Sequence, residues 1–251
     1  MNGLQRAGYL AHAQLPVFQR RMERALGCIV EALSLCQSPF ISYSAGKDST
    51  AMVWLCLQVE PRLPVRMLTG GETRLLHPGL DRVFAWWRAR FPEIDLVEIN
   101  IDHVFASGWE SASFVEQHRS FRDGWNRYLH TAGEWDGVFI GLRAEESGMR
   151  KWRTSQRMEG TDKAIYRYRS GPRAGSYRIC PIDNWTINDV GALVTQHDLP
   201  LLDTYLDGGL ERRTHYRIGW CSLLYGQLDE LRIEHPEQFR ALIERFPELD
   251  Y

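Results

Sequence analysis

Phe40-Ile41-Ser42-Tyr43-Ser44-Ala45-Gly46-Lys47-Asp48-Ser49-Thr50 is the stretch on which the fold turns. Its apolar start reads as a buried strand. The small pair Ala45-Gly46 marks a tight turn, and Thr50 to Leu57 reads as a helix. Strand, small-residue turn and helix start together make an anion site. The first helical N–H groups lack internal partners, and the helix dipole favours negative charge there. Gly46 allows close backbone approach to a ligand. Ser42, Ser44, Ser49 and Thr50 bring hydroxyls, and Lys47 brings a mobile positive charge.

The mononucleotide P-loop spelling is excluded, because it needs Gly, four residues, then Gly-Lys-Ser/Thr. Here Ile41 stands at the first Gly position and Asp48 follows the lysine. The spelling Ser44-Ala45-Gly46-Lys47-Asp48-Ser49 instead resembles the Ser-Gly-Gly-x-Asp-Ser loop of the PP-loop ATP pyrophosphatases, a superfamily that includes the phosphoadenosine phosphosulfate (PAPS) reductases. Ala45 is the one departure, and it costs little provided that the backbone there has negative φ.

The chain has 251 residues, which suits one α/β domain with insertions or a small appendage. A hydrophobic content of 44% supports a sizeable core, and the net charge of −2 excludes a generally basic coat. No run of eighteen apolar residues is present, so no membrane partner is expected. The five cysteines (Cys28, Cys36, Cys56, Cys180 and Cys221) are scattered and form no Cys-x-x-Cys. With no secretory signal read at the N-terminus, this points to a reduced, cytoplasmic protein without disulfides or an iron–sulfur cluster.

Residues 1–39 read as a leading helical segment that packs on the sheet. Val65 to Leu68 is a second strand and enters Thr69-Gly70-Gly71-Glu72. Ligands of open parallel sheets sit outside such strand ends. That turn, with His77-Pro78, resembles the Asp-Thr-Gly turn of the PAPS reductases, with Leu68 in place of the Asp. Leu80 to Phe91 reads as a helix ended by Pro92, Leu96 to Asn100 as a third strand, and 112–130 as a polar-faced helix. Gly137 to Gly141 is a fourth strand. Strands alternating with helices imply parallel βαβ units.

Gly141-Leu142-Arg143-Ala144-Glu145-Glu146-Ser147-Gly148-Met149-Arg150 resembles the Gly-Leu-Arg-x-x-Glu/Gln-Ser-x-x-Arg segment of the same family. Arg143 and Arg150 are suited to clamp phosphate or sulfate oxygens. From Arg143 to Arg178 there are ten Lys/Arg and four acids, +6 against −8 for the rest. Trp152, Tyr166, Tyr168 and Tyr177 are interleaved, a composition suited to a polyphosphate or to single-stranded nucleic acid. The stretch 151–178 reads as long and irregular: a lid or a surface excursion. Thr186 with Asp189 reads as a helix cap, and Leu201 to Tyr205 resembles the family's loop toward the substrate. Residues 222–247 read as two helices divided near His235-Pro236.

The resemblance covers roughly Phe40 to Tyr205. It implies a three-layer α/β/α fold with a mainly parallel sheet, adenine nucleotide alpha-hydrolase-like and Rossmann-like, followed by C-terminal helices. It further implies a helical segment 1–39, a nucleotide-binding domain 40–205 with a lid-like insertion 144–178, and an extension 206–251. The ligand would be ATP or a PAPS-like nucleotide, with Mg²⁺. Lys47, Asp48, Arg143 and Arg150 would be catalytic, and Ser42, Ser44 to Thr50, Thr69, Gly70, Gly71, Gly141, Arg143 and Glu145 would line the nucleotide site. Asp48 would either hold the metal or serve the helix N-terminus. The reaction would cleave ATP at the α-phosphate to activate an acceptor, with sulfur transfer to nucleic acid through segment 143–178 as one outcome. A non-catalytic binding module and a sulfonucleotide reductase remain as alternatives. The reductases' Glu-Cys-Gly-x-His is absent, leaving Cys180 and Cys221 as thiols for sulfur handling or for packing. Oligomeric state stays open, a homodimer included.

Overall fold

The computed structural model describes residues 1–69, 73–100, 135–146, 164–170, 173–212 and 226–250. The elements are α1 (Gly3–Ala13), α2 (Pro16–Leu35), β1 (Pro39–Tyr43), α3 (Lys47–Val59), β2 (Val65–Thr69), α4 (Thr73–Leu76), α5 (Leu80–Arg90) and β3 (Leu96–Asn100). There follow β4 (Gly137–Ile140), β5 (Ile165–Arg167), β6 (Tyr177–Ile179), α6 (Ile187–Gln196), α7 (Asp203–Gly208), α8 (Gln227–Glu234) and α9 (Pro236–Arg245). The helix expected over 112–130, the turn residues Gly70 to Glu72, Arg150 and Cys221 lie outside the described residues.

The six strands form one sheet in the order β3-β2-β1-β4-β6-β5. All neighbours are parallel except β5 and β6. This is the mainly parallel α/β architecture expected. Near-continuous apolar runs make the inner strands: Phe40, Ile41, Val65, Met67 and Phe139 are all fully buried. From β1 the chain moves outward to β2 and β3, then returns to the other side of β1 as β4. The carboxyl ends of β1 and β4 therefore flank the point where strand order reverses, the place where such sheets bind ligands.

Two expectations are corrected. The leading segment is two helices rather than one, broken at Gln14-Leu15, where Pro16 starts α2. Residues 165–167 and 177–179 are not irregular but the strands β5 and β6. Tyr166-Arg167-Tyr168 alternates with period two, as a strand at a sheet edge does.

The buried Asp189 carboxylate ties α1, α2 and α6 together. Its Oδ1 lies 2.8 Å from His12 Nε2 and its Oδ2 accepts from Arg21 Nη1 at 2.5 Å. Oδ2 also accepts from the Thr186 N–H and hydroxyl at 2.6 and 2.8 Å, which completes the expected capping box. Burial pushes this carboxyl up, but the His12 and Thr186 hydrogen bonds and the Arg21 charge more than offset it, and its pKa lies below the ordinary value. The stability it supplies is thus complete above about pH 4 and is lost as pH falls through the depressed folded value. Asp189→Asn should lower the urea midpoint at neutral pH, with the gap to the parent narrowing below about pH 4. A gap independent of pH would show that the charge plays no part.

A second, smaller core unites Leu76 of α4 with Leu228, Leu231, Phe239, Leu242, Phe246 and Leu249. The C-terminal helices, divided at His235-Pro236 as expected, thus dock on the element that follows the β2 turn.

Candidate nucleotide site

Helix α3 begins at Lys47, three residues before the start read from the sequence, so Lys47, Asp48 and Ser49 form its first turn. Gly46 is the N-cap and brings no side-chain cap to the helix amides. Ser44 and Ser49 share a hydroxyl contact at 3.0 Å, and the Ser49 hydroxyl donates to the Gly46 carbonyl at 2.9 Å. Below the loop, Trp87 Nε1 donates to the Tyr43 hydroxyl at 3.0 Å, which lies 3.2 Å from Thr50 Oγ1. Burial pushes the Tyr43 phenol up to about 12, so it stays neutral and serves as an anchor.

Ala45 has φ of 54°, in the left-handed region, so the proviso of negative φ is not met. A β-carbon there costs about 1–2 kcal/mol. Replacing Ala45 by Gly would remove that strain and give back about 0.4–1 kcal/mol in unfolded-state entropy. A net stabilisation of about 0.5–1 kcal/mol is expected for Ala45→Gly in urea unfolding. A loss of stability would mean that the alanine methyl packs well enough to outweigh its backbone.

Gly141, at the end of β4, is required by close approach. A β-carbon on it would sit 2.8 Å from Ser49 Cα and from Ser49 N. Two residues on, Arg143 is buried and its Nε donates to Asp48 Oδ1 at 2.7 Å. Arg143 Nη1 donates to Glu145 Oε2, which also accepts from the Ile187 N–H at 2.9 Å. Glu145 therefore orients Arg143 and accepts from the first N–H of α6, with its side chain about half exposed. Ser42 sits inside β1 between Arg66 and Ile140, one step back from the loop, and Thr69 is buried at the end of β2.

Lys47 is also buried. Its Nζ lies 3.4 Å from Asp48 Oδ2 and donates to the Arg212 carbonyl at 3.3 Å. It also sits 5.3 Å from the centre of the Tyr205 ring. Tyr205 and Arg212 are thus neighbours of Lys47 that the sequence does not announce. It singles out the segment Leu201 to Tyr205, but not the tyrosine as the cover of Lys47. A backbone carbonyl such as that of Arg212 leaves no trace in a sequence.

Arg143 holds one Asp48 oxygen and Lys47 lies beside the other, so the carboxylate is engaged by two cations. A Mg²⁺ on Asp48 would need Lys47 to move away from the second oxygen; as it stands, the carboxylate is a charge fixed in the first turn of α3. Cys180 is buried at the end of β6, with no exposed thiol.

A model of the phosphoadenosine phosphosulfate reductase domain matches residues 38–224. The chain belongs to that family. The matched span holds the loop, the strand ends around it and Arg143. The chain is thereby one of the PP-loop nucleotide-binding proteins of sulfur metabolism. It is 24% identical over 220 residues to sulfate adenylyltransferase subunit 2 of Methylorubrum extorquens, covering 78% of this chain and 67% of the relative. It is 28% identical over 200 residues to the subunit 2 of Akkermansia muciniphila, covering 70% and 62%. The chain thus spans about two thirds of these relatives' length. Among solved structures, a PAPS reductase from Candida auris in complex with phosphate matches with a TM-score of 0.50 at 17% identity, over 78% of this chain and 88% of that one. That likeness shows the fold.

Proposed function

We propose that this chain binds ATP at the β1–α3 loop and cleaves it between the α and β phosphates, passing the adenylyl group to an oxyanion acceptor. The carrying observation is the convergence, where strand order reverses, of the open N-terminus of α3 with two buried cations, Lys47 and Arg143. An acceptor oxygen attacks the α-phosphorus. The bond from that phosphorus to the bridging oxygen breaks, and pyrophosphate leaves with the electron pair. Charge grows on the leaving oxygens, and fixed N–H groups and cations stabilise it most where water is excluded. Lys47 can reach the phosphates by leaving the Arg212 carbonyl. Arg143, held by Asp48 and Glu145, sets the field of the loop.

The relatives' designation, sulfate adenylyltransferase, makes sulfate the first acceptor to try. Incubated with ATP, magnesium and sulfate or another acceptor, the chain should release pyrophosphate, with AMP either free or joined to the acceptor. Chromatography of adenine-labelled nucleotide distinguishes this from ADP and orthophosphate, which would reject the reading.

A further inference from the structure

Residues 164–179 contain Arg167, Arg169, Arg173 and Arg178 and no acidic residue. The register of the β5–β6 hairpin places Tyr166 opposite Arg178 and Arg167 opposite Tyr177, so two of its three cross-strand pairs join a ring to a guanidinium, the third being Ile165 with Ile179. On one face Tyr166 and Tyr168 lie side by side, ring centres 5.4 Å apart and nearly perpendicular. Arg178 stacks 5.0 Å from the centre of the Tyr166 ring and Arg173 lies 5.5 Å from that of Tyr168. Arg178 Nε is buried and has no hydrogen-bond partner among the described residues.

The turn of the hairpin points away from the nucleotide loop. β6 runs parallel to β4, and β5 runs against β6, so the turn joining β5 to β6 lies at the edge opposite Gly141 and Arg143. That turn is held by Tyr168 N–H to Ser176 O at 2.9 Å and Gly175 N–H to Tyr168 O at 2.8 Å. Among the described residues, β5 is the last strand of the sheet.

We propose that this face binds single-stranded nucleic acid, with Tyr166 and Tyr168 stacking on unpaired bases and Arg169, Arg173 and Arg178 meeting phosphates. A guanidinium beside a ring can turn its N–H groups to an anion, Arg173 by giving up its 3.4 Å contact to the Tyr168 hydroxyl, and a ring can trade a guanidinium for a base. A duplex offers no unstacked base to the rings, and an acidic peptide has no use for them. The surface stands independently of ATP cleavage.

The test is fluorescence anisotropy of the full chain with labelled 20-nucleotide oligo(dT) and oligo(U), over a range of salt. Affinity should fall steeply with salt, and Arg169→Ala and Arg173→Ala should each flatten the slope by about one. Tyr166→Leu and Tyr168→Leu should weaken binding roughly fivefold to a hundredfold, while Tyr166→Phe and Tyr168→Phe bind like the parent. Unchanged urea-unfolding midpoints in these variants show that they fold. Lys47→Ala should leave oligonucleotide binding intact, which separates failure at the loop from failure at the hairpin. No binding of either oligonucleotide at low salt would overturn the proposal. So would Leu variants that bind like the parent, or displacement by polyglutamate at equal charge, since the face would then read charge alone.

Discussion

Arg143→Ala is expected to destabilise the fold by about 3–5 kcal/mol, the usual penalty for removing one partner of a buried ion pair. The variant leaves the Asp48 carboxylate inside the protein, with the Lys47 ammonium 3.4 Å away. A domain's whole stability is about 5–15 kcal/mol, so this loss will dominate urea unfolding. The double variant Arg143→Met with Asp48→Asn should recover much of it, because the stranded charge is gone. If Arg143→Ala unfolds within about 1 kcal/mol of the parent, Lys47 alone neutralises Asp48 and the Arg143 link is of little consequence to the fold.

Lys47→Ala should act the other way round, on binding more than on folding. Asp48 keeps Arg143 at 2.7 Å, so no charge is left alone. A charge-assisted hydrogen bond contributes about 1.5–3 kcal/mol, so ATP affinity should fall roughly tenfold to a hundredfold. Calorimetric titration with ATP measures this, and unfolding confirms that the variant is native. Unchanged affinity would place the phosphates elsewhere than against α3.

The loop declared itself in the sequence because its physics is local. An apolar run, a small pair and a polar helix start are contiguous, and the strand-helix alternation around them fixed the fold class. Gly141 and Arg143 were legible for a related reason: a strand end delivers them next to the loop. Three things were not legible. The sign of φ at Ala45 depends on how the loop closes, which residue names do not state. The β5 and β6 strands are three residues each, and the charge of Tyr166-Arg167-Tyr168 masked its period of two. The cover of Lys47 by Tyr205 and Arg212 joins positions more than 150 residues apart through a ring face and a carbonyl, neither of which has a sequence signature.

β1 is hydrogen-bonded on both sides, by β2 and by β4, and its Phe40 and Ile41 are fully enclosed. The loop at its end is therefore mounted on the least deformable part of the sheet, with α3 pressed against Gly141. For the nucleotide proposed above, such backbone would be shaped before the ligand arrives, with little backbone entropy left to lose on binding. Discrimination among anions then rests on fit to a fixed outline. If phosphates bind there as proposed, a guest with the wrong spacing meets backbone held by β1, β4 and α3, and adjustment falls to side chains such as Lys47.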